Sequence, residues 1–138
     1  MFVKNLKEFL SSEMKMSHIY QPVMIKTLLH KNGSADITSI AKEILQYDPY
    51  KAKSQDEYKK QIQYYEDRVF NMVGRVLTEK RNITKRTGSM YTLNNYRELN
   101  KDEHDDLTSL CDQKIYEKIS KCGNQIWKHQ ESFIARGI

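Results

Sequence analysis

The sequence predicts a mainly α fold (α+β) in which a long helix runs directly into a short β-hairpin. Over 56–80, apolar side chains recur at a helical period: Tyr58, Ile62, Tyr65, Val69, Met72, Val73, Val76 and Leu77. The segment 83–92 has two short β-prone arms around a basic turn, and Gly88 supplies the freedom that a tight reversal needs. A helix followed by a positively charged hairpin is the plan of a recognition helix and its wing. We therefore predict a winged helix-turn-helix with extra helices at both ends.

The elements before the long helix fit the same plan. A helix is predicted over 17–30, with Ser17 as its N-cap and Pro22 in its first turn, where a missing N–H costs little. A short first strand over 34–37 and a second amphipathic helix over 37–45 follow. Asp36 or Thr38 is the expected cap of that second helix.

Three parts of the chain are expected. Residues 1–16 form an amphipathic helix that packs on the domain or on a second copy of the chain. Residues 17–97 form the winged-helix domain, and Asp48-Pro49 places a loop before its long helix. Residues 98–138 form a C-terminal helical extension, whose acidic start suits a helix N-terminus. Its apolar stripe is Leu107, Leu110, Cys111, Ile115 and Ile119.

The distribution of charge is more informative than the net charge of +5 on 138 residues. Residues 51–97 hold eleven Lys and Arg against five Asp and Glu, a local charge of +6. Residues 98–113 hold one against six, a local charge of −5. The positive charge coincides with the predicted recognition helix and wing, which favours a polyanionic partner.

Several function classes lack support in the sequence. Cys111 and Cys122 are too far apart on one predicted helix for a disulfide, being separated by about 16 Å. The four histidines have no metal-ligand spacing, and phosphate-loop, zinc-protease and nucleophile-elbow motifs are absent. No apolar run is long enough to span a membrane. We expect no catalytic residue, no metal and no cofactor, no membrane partner, and a cytoplasmic location.

The candidate DNA-binding residues lie on the long helix and the hairpin. With the apolar residues facing the core, Arg68, Asn71 and Arg75 become the expected base contacts, because Asn pairs with adenine and Arg with guanine. Tyr64, expected off the apolar face, is the aromatic residue most open to contacting a modified base, whereas Tyr91 and Trp127 are expected in the core. Expected phosphate contacts are Lys60 on the helix, and Lys80, Arg81, Lys85, Arg86 and Thr87 at the wing.

Two runs of residues carry a family resemblance. The run YQPVMIKTLL over 20–29 and the run NMVGRVL over 71–77 resemble the N-terminal winged-helix region of bacterial HNH-type restriction endonucleases. The resemblance extends over roughly 18–130. It implies a domain that positions a nuclease on double-stranded DNA, and some domains of this kind read a modified base.

In that family a cysteine-rich HNH catalytic domain normally follows, and no such motif occurs before Ile138. The resemblance therefore implies a DNA-binding part of a nuclease and not a nuclease in itself. Two alternatives stay open. One is a protein-interaction module that forms a homodimer through its terminal helices. The other is a standalone transcription regulator that binds a palindromic site as a dimer.

Overall fold

The computed structural model describes residues 2–13 and 19–122. Its elements in chain order are α1 (Phe2–Glu8), α2 (Tyr20–His30), β1 (Ser34–Asp36), α3 (Ile37–Leu45), α4 (Gln55–Arg68), β2 (Thr84–Thr87), β3 (Met90–Leu93), a 3₁₀ turn (Tyr96–Glu98) and α5 (Lys101–Cys122). The described part of the chain is thus mainly helical with one small sheet. The expected cap Ser17 and the aromatic Trp127 lie outside the described residues.

The predicted long helix is present and extends beyond α4. It continues through the π-helical turns Val69–Val73 and Val76–Lys80, and we call the whole of 55–80 the long helix. The Ser54 hydroxyl caps its start by accepting a hydrogen bond from the Glu57 N–H at 3.2 Å. Acidic residues in its first turn are favourable there, because the helix dipole is positive at that end.

The buried face of the long helix repeats at every fourth residue. Its buried members at that spacing are Glu57, Gln61, Tyr65, Val69, Val73 and Leu77. A regular α-helix turns every 3.6 residues, so a four-residue repeat would drift around its axis. The wider π-helical turns in the second half offset this drift and keep the repeat facing the core.

The 3.6-residue period predicted from the sequence gave the wrong orientation for some side chains of the long helix. Tyr58 and Met72, predicted to face the core, are 40% and 45% exposed. Ile62 and Val76 are only partly buried. Tyr64, predicted to lie off the apolar face, is buried at 8% exposure. These errors have two causes. In the regular helix before Val69, Glu57 and Gln61 take the inward positions, where hydrogen bonds with Tyr50 hold them. Met72 and Val76 lie in turns that are π-helical, where a 3.6-residue period does not apply.

The hairpin and the first strand form one antiparallel sheet. Its strand order is β1-β3-β2, so β3 pairs with both neighbours. Tyr91 stands opposite Ala35 on one side and Arg86 on the other. The turn between β2 and β3 contains Gly88 at φ +61°, a left-handed conformation that glycine adopts without strain. The predicted hairpin and first strand are both confirmed.

The connection between α3 and the long helix is held by a buried polar network. The Tyr65 hydroxyl donates to the carboxylate of Asp48, which is 1% exposed and also accepts from the Tyr50 N–H at 2.9 Å. Gln61 Nε2 donates to the Tyr50 carbonyl at 3.0 Å, and the Tyr50 hydroxyl donates to Glu57 at 2.8 Å. These bonds satisfy polar groups that would otherwise be costly to bury. They fix the loop that sets α3 against the long helix.

A second set of polar contacts orients α3. Thr38 Oγ1 donates to Glu66 Oε2 at 2.5 Å, which ties the start of α3 to the long helix. Asp36 occupies the N-cap position without a side-chain bond to the backbone. It accepts instead from the Ser39 hydroxyl, and this bond lowers the pKa of the Asp36 carboxyl.

The core is centred on α2, and α5 covers one side of it. Lys26 on α2 pairs with Asp112 on α5 at 2.6 Å, and this hydrogen bond raises the pKa of Lys26. A His104 ring nitrogen lies 2.8 Å from the Leu29 carbonyl at the end of α2. Both contacts join the C-terminal extension firmly to the domain.

The acidic start of α5 is a reciprocal cap. Glu103 N–H donates to Asn100 Oδ1 at 2.8 Å, and Asn100 N–H donates to Glu103 Oε1 at 3.0 Å. On the apolar stripe Leu107, Cys111 and Ile115 are buried, while Ile119 is 36% exposed. Burial raises the pKa of the Cys111 thiol to about 12, so this cysteine is a protonated core residue.

The N-terminal helix packs within the chain. Leu6, Phe9 and Leu10 are buried, and α1 with its π-helical continuation (Phe9–Glu13) lies against α5. The N-terminal helix thus packs on another part of the same chain, the C-terminal extension. No helix among the described residues has the length and apolar character needed to cross a membrane.

We predict that Gly74→Ala lowers the free energy of unfolding. A Cβ at position 74 would lie 2.5 Å from the Val69 carbonyl oxygen and 2.7 Å from the Tyr91 hydroxyl. Overpacking of this kind costs about 1–3 kcal/mol, more than the roughly 1 kcal/mol that alanine gains in helix propensity. Thermal unfolding should therefore occur at a lower temperature.

The double variant Gly74→Ala/Tyr91→Phe is the matched test of the cause. Removing the Tyr91 hydroxyl relieves one of the two clashes. The double variant should therefore lose less unfolding free energy than the two single variants lose together. An unchanged or raised Tm for Gly74→Ala would contradict the close approach of helix and hairpin.

Candidate nucleic-acid interface

A cleft separates the second half of the long helix from the hairpin. Its volume is about 370 Å³. We call it the helix-side cleft, and its lining residues are Phe70, Asn71, Gly74, Arg75, Thr78, Glu79, Arg86 and Tyr91. Three of the predicted contact residues, Asn71, Arg75 and Arg86, therefore meet in one place although they come from two elements.

The hairpin approaches the helix closely at Gly74. Tyr91 is 1% exposed, and its ring occupies the space that a Cβ at position 74 would need. Thr78 and Thr84 add a hydroxyl pair at 2.8 Å between the long helix and β2. Burial raises the pKa of the Tyr91 phenol, although Arg86 acts in the opposite direction, so this tyrosine remains neutral at physiological pH. The hairpin is thus held against the helix by contacts beneath the cleft.

Arg86 is positioned by three neighbours. Its guanidinium lies 5.0 Å from the centre of the Phe70 ring, within the range of a cation–π interaction. Its Nη1 also donates to the Gly88 carbonyl at 2.7 Å. Pairing with Tyr91 across the strands puts Arg86 on the face of the hairpin that meets the helix. A guanidinium has five N–H donors, so these contacts leave others for a ligand.

The polar residues of the helix are engaged in local contacts. Asn71 Nδ2 donates to the Asp67 carbonyl at 3.0 Å. Arg75 Nε donates to Glu79 Oε2 at 3.1 Å, and both side chains are more than 60% exposed. An exposed pair of this kind contributes little stability, so a ligand can displace it at low cost.

The hairpin separates two residues that were predicted to act together. Arg86 lines the helix-side cleft, whereas its neighbour Lys85 lines a different groove on the other face of the sheet. Successive residues in a strand point to opposite faces, which accounts for the split. Thr87 is exposed at the hairpin tip. The predicted wing is therefore not one positive surface.

The remaining predicted residues lie away from the cleft lining. Arg68 stacks over the Tyr64 ring at 4.7 Å, and Arg81 lies 5.4 Å from the Phe9 ring of the N-terminal helix. Lys80 is exposed at the end of the long helix. Lys60 is exposed about 16 Å along the helix from Asn71.

The structure corrects the expectation for Tyr64. Its ring is buried and packs edge-on against Tyr65, with centroids 5.2 Å apart. Aromatic pairs of this geometry are typical of a protein core. Tyr64 therefore does not present an open ring to a base, and its role is packing.

Sequence reasoning missed Phe70, Thr78 and Arg97. Phe70 is 45% exposed in the helix-side cleft, and Arg97 lines the groove beyond the sheet. A four-residue repeat would have placed Phe70 outside the core, since it follows Val69. Nothing in the spacing of Arg97 indicated where the 3₁₀ turn would carry it.

The lining of the helix-side cleft is suited to binding a ligand through hydrogen bonds. Among residues 2–13 and 19–122, no three His, Cys, Asp or Glu side chains are grouped in a way that would hold a metal ion. The helix-side cleft offers guanidinium, amide and hydroxyl donors beside one carboxylate, Glu79. Such donors suit an anionic or hydrogen-bonding ligand.

Comparisons with protein-family models, curated proteins and solved structures gave no match. The family resemblance seen in the sequence stays a prediction.

We predict that Tyr64→Ala destabilises the fold. Truncating a buried aromatic residue costs about 3–5 kcal/mol. The matched control is Tyr58→Ala on the same helix, where a 40% exposed ring should cost much less. Chemical denaturation measures both. Equal losses for the two variants would contradict the burial of Tyr64.

Proposed function

We propose that this chain binds duplex DNA as a winged-helix domain, with the long helix as recognition helix and the hairpin as wing. The order of elements supports the proposal: helix α2, strand β1, helix α3, the long helix and then the hairpin β2–β3. So does the sheet order β1-β3-β2, which places the hairpin beside the first strand. The resemblance to nuclease N-terminal regions points the same way. The proposed role is targeting.

The observation that carries the proposal is the convergence in the helix-side cleft. The long helix contributes Asn71 and Arg75, and the hairpin contributes Arg86. An exposed helix face with Asn and Arg offers the groups that read adenine and guanine in the major groove. Arg86, at the helix-facing side of the wing, contacts the adjacent backbone phosphate. In such an interface phosphate contacts fix the position and base contacts give specificity.

The charge of the long helix and hairpin, taken together, supports a polyanionic partner. The 51–97 segment carries +6, and its exposed cations include Lys59, Lys60, Arg75, Lys80, Lys85 and Arg86. The segment 98–113 carries −5 and includes the start of α5. Binding through the positively charged segment releases counterions from DNA, whereas the acidic segment is repelled by a polyanion.

One observation favours a protein partner as the second candidate. On α5 the Tyr116 side chain is 72% exposed and Ile119 is 36% exposed, one helical turn apart. An apolar interface on α5 would depend weakly on salt, whereas DNA binding depends on it steeply. The salt dependence of binding thus separates the two candidates.

We predict that Arg75→Ala/Arg86→Ala weakens duplex binding and flattens its salt dependence. Each lost phosphate contact reduces the slope of log K against log salt by about 0.9. The slope should fall by about 1.8 if both residues contact phosphate, and by about 0.9 if Arg75 reads a base instead. Fluorescence anisotropy between about 50 and 200 mM salt measures it.

The matched control is Lys4→Ala/Lys101→Ala, which removes the same charge from exposed residues of α1 and α5. It should bind nearly as the wild-type chain does. Equal losses of affinity for the two double variants would show that the effect comes from net charge alone. If the wild-type chain binds no duplex, the proposed function is wrong.

A further inference from the structure

The hairpin has a second groove on the face opposite the helix-side cleft. It has a volume of about 330 Å³, and we call it the outer groove. Lys85 lines it together with Ser34 and Thr92, and the 3₁₀ turn contributes Arg97 and Glu98. Apart from Lys85, none of these residues was assigned a role above.

A row of donors crosses the sheet in the outer groove. Ser34 and Lys85 both pair with Thr92, so the three side chains lie side by side on one face of β1, β3 and β2. The Ser34 and Thr92 hydroxyls are 3.0 Å apart and hydrogen-bonded. That bond uses one of their two hydroxyl hydrogens, and the other can be donated to a ligand.

The turn after β3 is held in place beside this row. Asn95 adopts a left-handed conformation at φ +61°, and the chain enters the 3₁₀ turn there. Tyr96 packs against Gly33, where an added Cβ would lie 2.6 Å from the ring. Arg97 is thereby carried to the wall of the groove. Lys85 and Arg97 outweigh Glu98, the one carboxylate among the lining residues.

We propose that the outer groove binds a sugar–phosphate strand of DNA, and that this strand is not the one that faces the helix-side cleft. The inference rests on the proposed function. An ammonium, a guanidinium and a hydroxyl hydrogen are donors suited to phosphate oxygens. Adjacent residues Lys85 and Arg86 face opposite sides of the hairpin. A hairpin seated at a groove of the duplex has one backbone on each side, so each face meets a different strand.

The first test is Lys85→Ala/Arg97→Ala, measured by anisotropy on a duplex selected by the wild-type chain from a random library. The salt slope should fall by about 1.8, the value for two phosphate contacts. Lys4→Ala/Lys101→Ala again controls for net charge, and thermal unfolding checks that the fold is kept. Glu98→Gln should tighten binding, because it removes the carboxylate beside the strand.

The second test identifies the strand. Neutral methylphosphonate linkages are placed in one strand of the selected duplex and then in the other. Neutralising the strand that lies in the outer groove should weaken DNA binding by the wild-type chain but not by Lys85→Ala/Arg97→Ala. Neutralising the strand that faces the helix-side cleft should weaken DNA binding by the wild-type chain more than binding by Arg75→Ala/Arg86→Ala.

Two results would overturn the inference while leaving the proposed function intact. One is an unchanged salt slope for Lys85→Ala/Arg97→Ala when Arg75→Ala/Arg86→Ala binds weakly. The other is that, for both double variants, binding stops responding to neutral linkages in the same strand. Failure of the wild-type chain to bind any duplex would overturn the proposed function and this inference together.

Discussion

The contact between Gly74 and Tyr91 is the constraint on which the candidate interface depends. A side chain at position 74 would meet the Tyr91 hydroxyl at 2.7 Å, so only bare backbone lets the hairpin lie this close. The contact sets the floor of the helix-side cleft and thereby the separation of Asn71 and Arg75 from Arg86. Packing beneath the surface thus positions the polar groups above it. The polar network around Asp48 has the matching role at the other end of the long helix, where it fixes α3.

Element types and order were predictable because local signals were strong. Helical periodicity, the Gly88 turn and the Asp48-Pro49 break each act over a few residues, and the structure has the long helix, hairpin and loop where they indicate. The start of α5 followed from its acidic residues for the same reason. These features depend on backbone preferences and helix electrostatics rather than on distant contacts.

The faces of the long helix were less predictable. Tyr58 and Met72 are exposed and Tyr64 is buried, contrary to expectation, while buried positions recur at every fourth residue from Glu57 to Leu77. The π-helical turns that permit this repeat arise where the helix packs on the hairpin and the core, and a periodicity measured on one segment does not contain that information. Phe70 became part of the candidate site for the same reason.

The residues of the hairpin illustrate a related limit. Composition identified Lys85 and Arg86 as one basic tip, but strand alternation sends them into different grooves. The register that decides which residue faces the helix is set by pairing with Tyr91, a tertiary feature. Arg97 was not predicted as a binding residue because its position depends on the turn after β3.

The face formed by the long helix and the hairpin is the proposed binding site for duplex DNA. Mapping of backbone amide NMR shifts during titration of the full chain with a short duplex tests this most directly. We expect the largest shifts in 70–79 and 84–90, and we expect them to shrink as salt is raised. Shifts confined to α5 around Tyr116, or none at low salt, would contradict it.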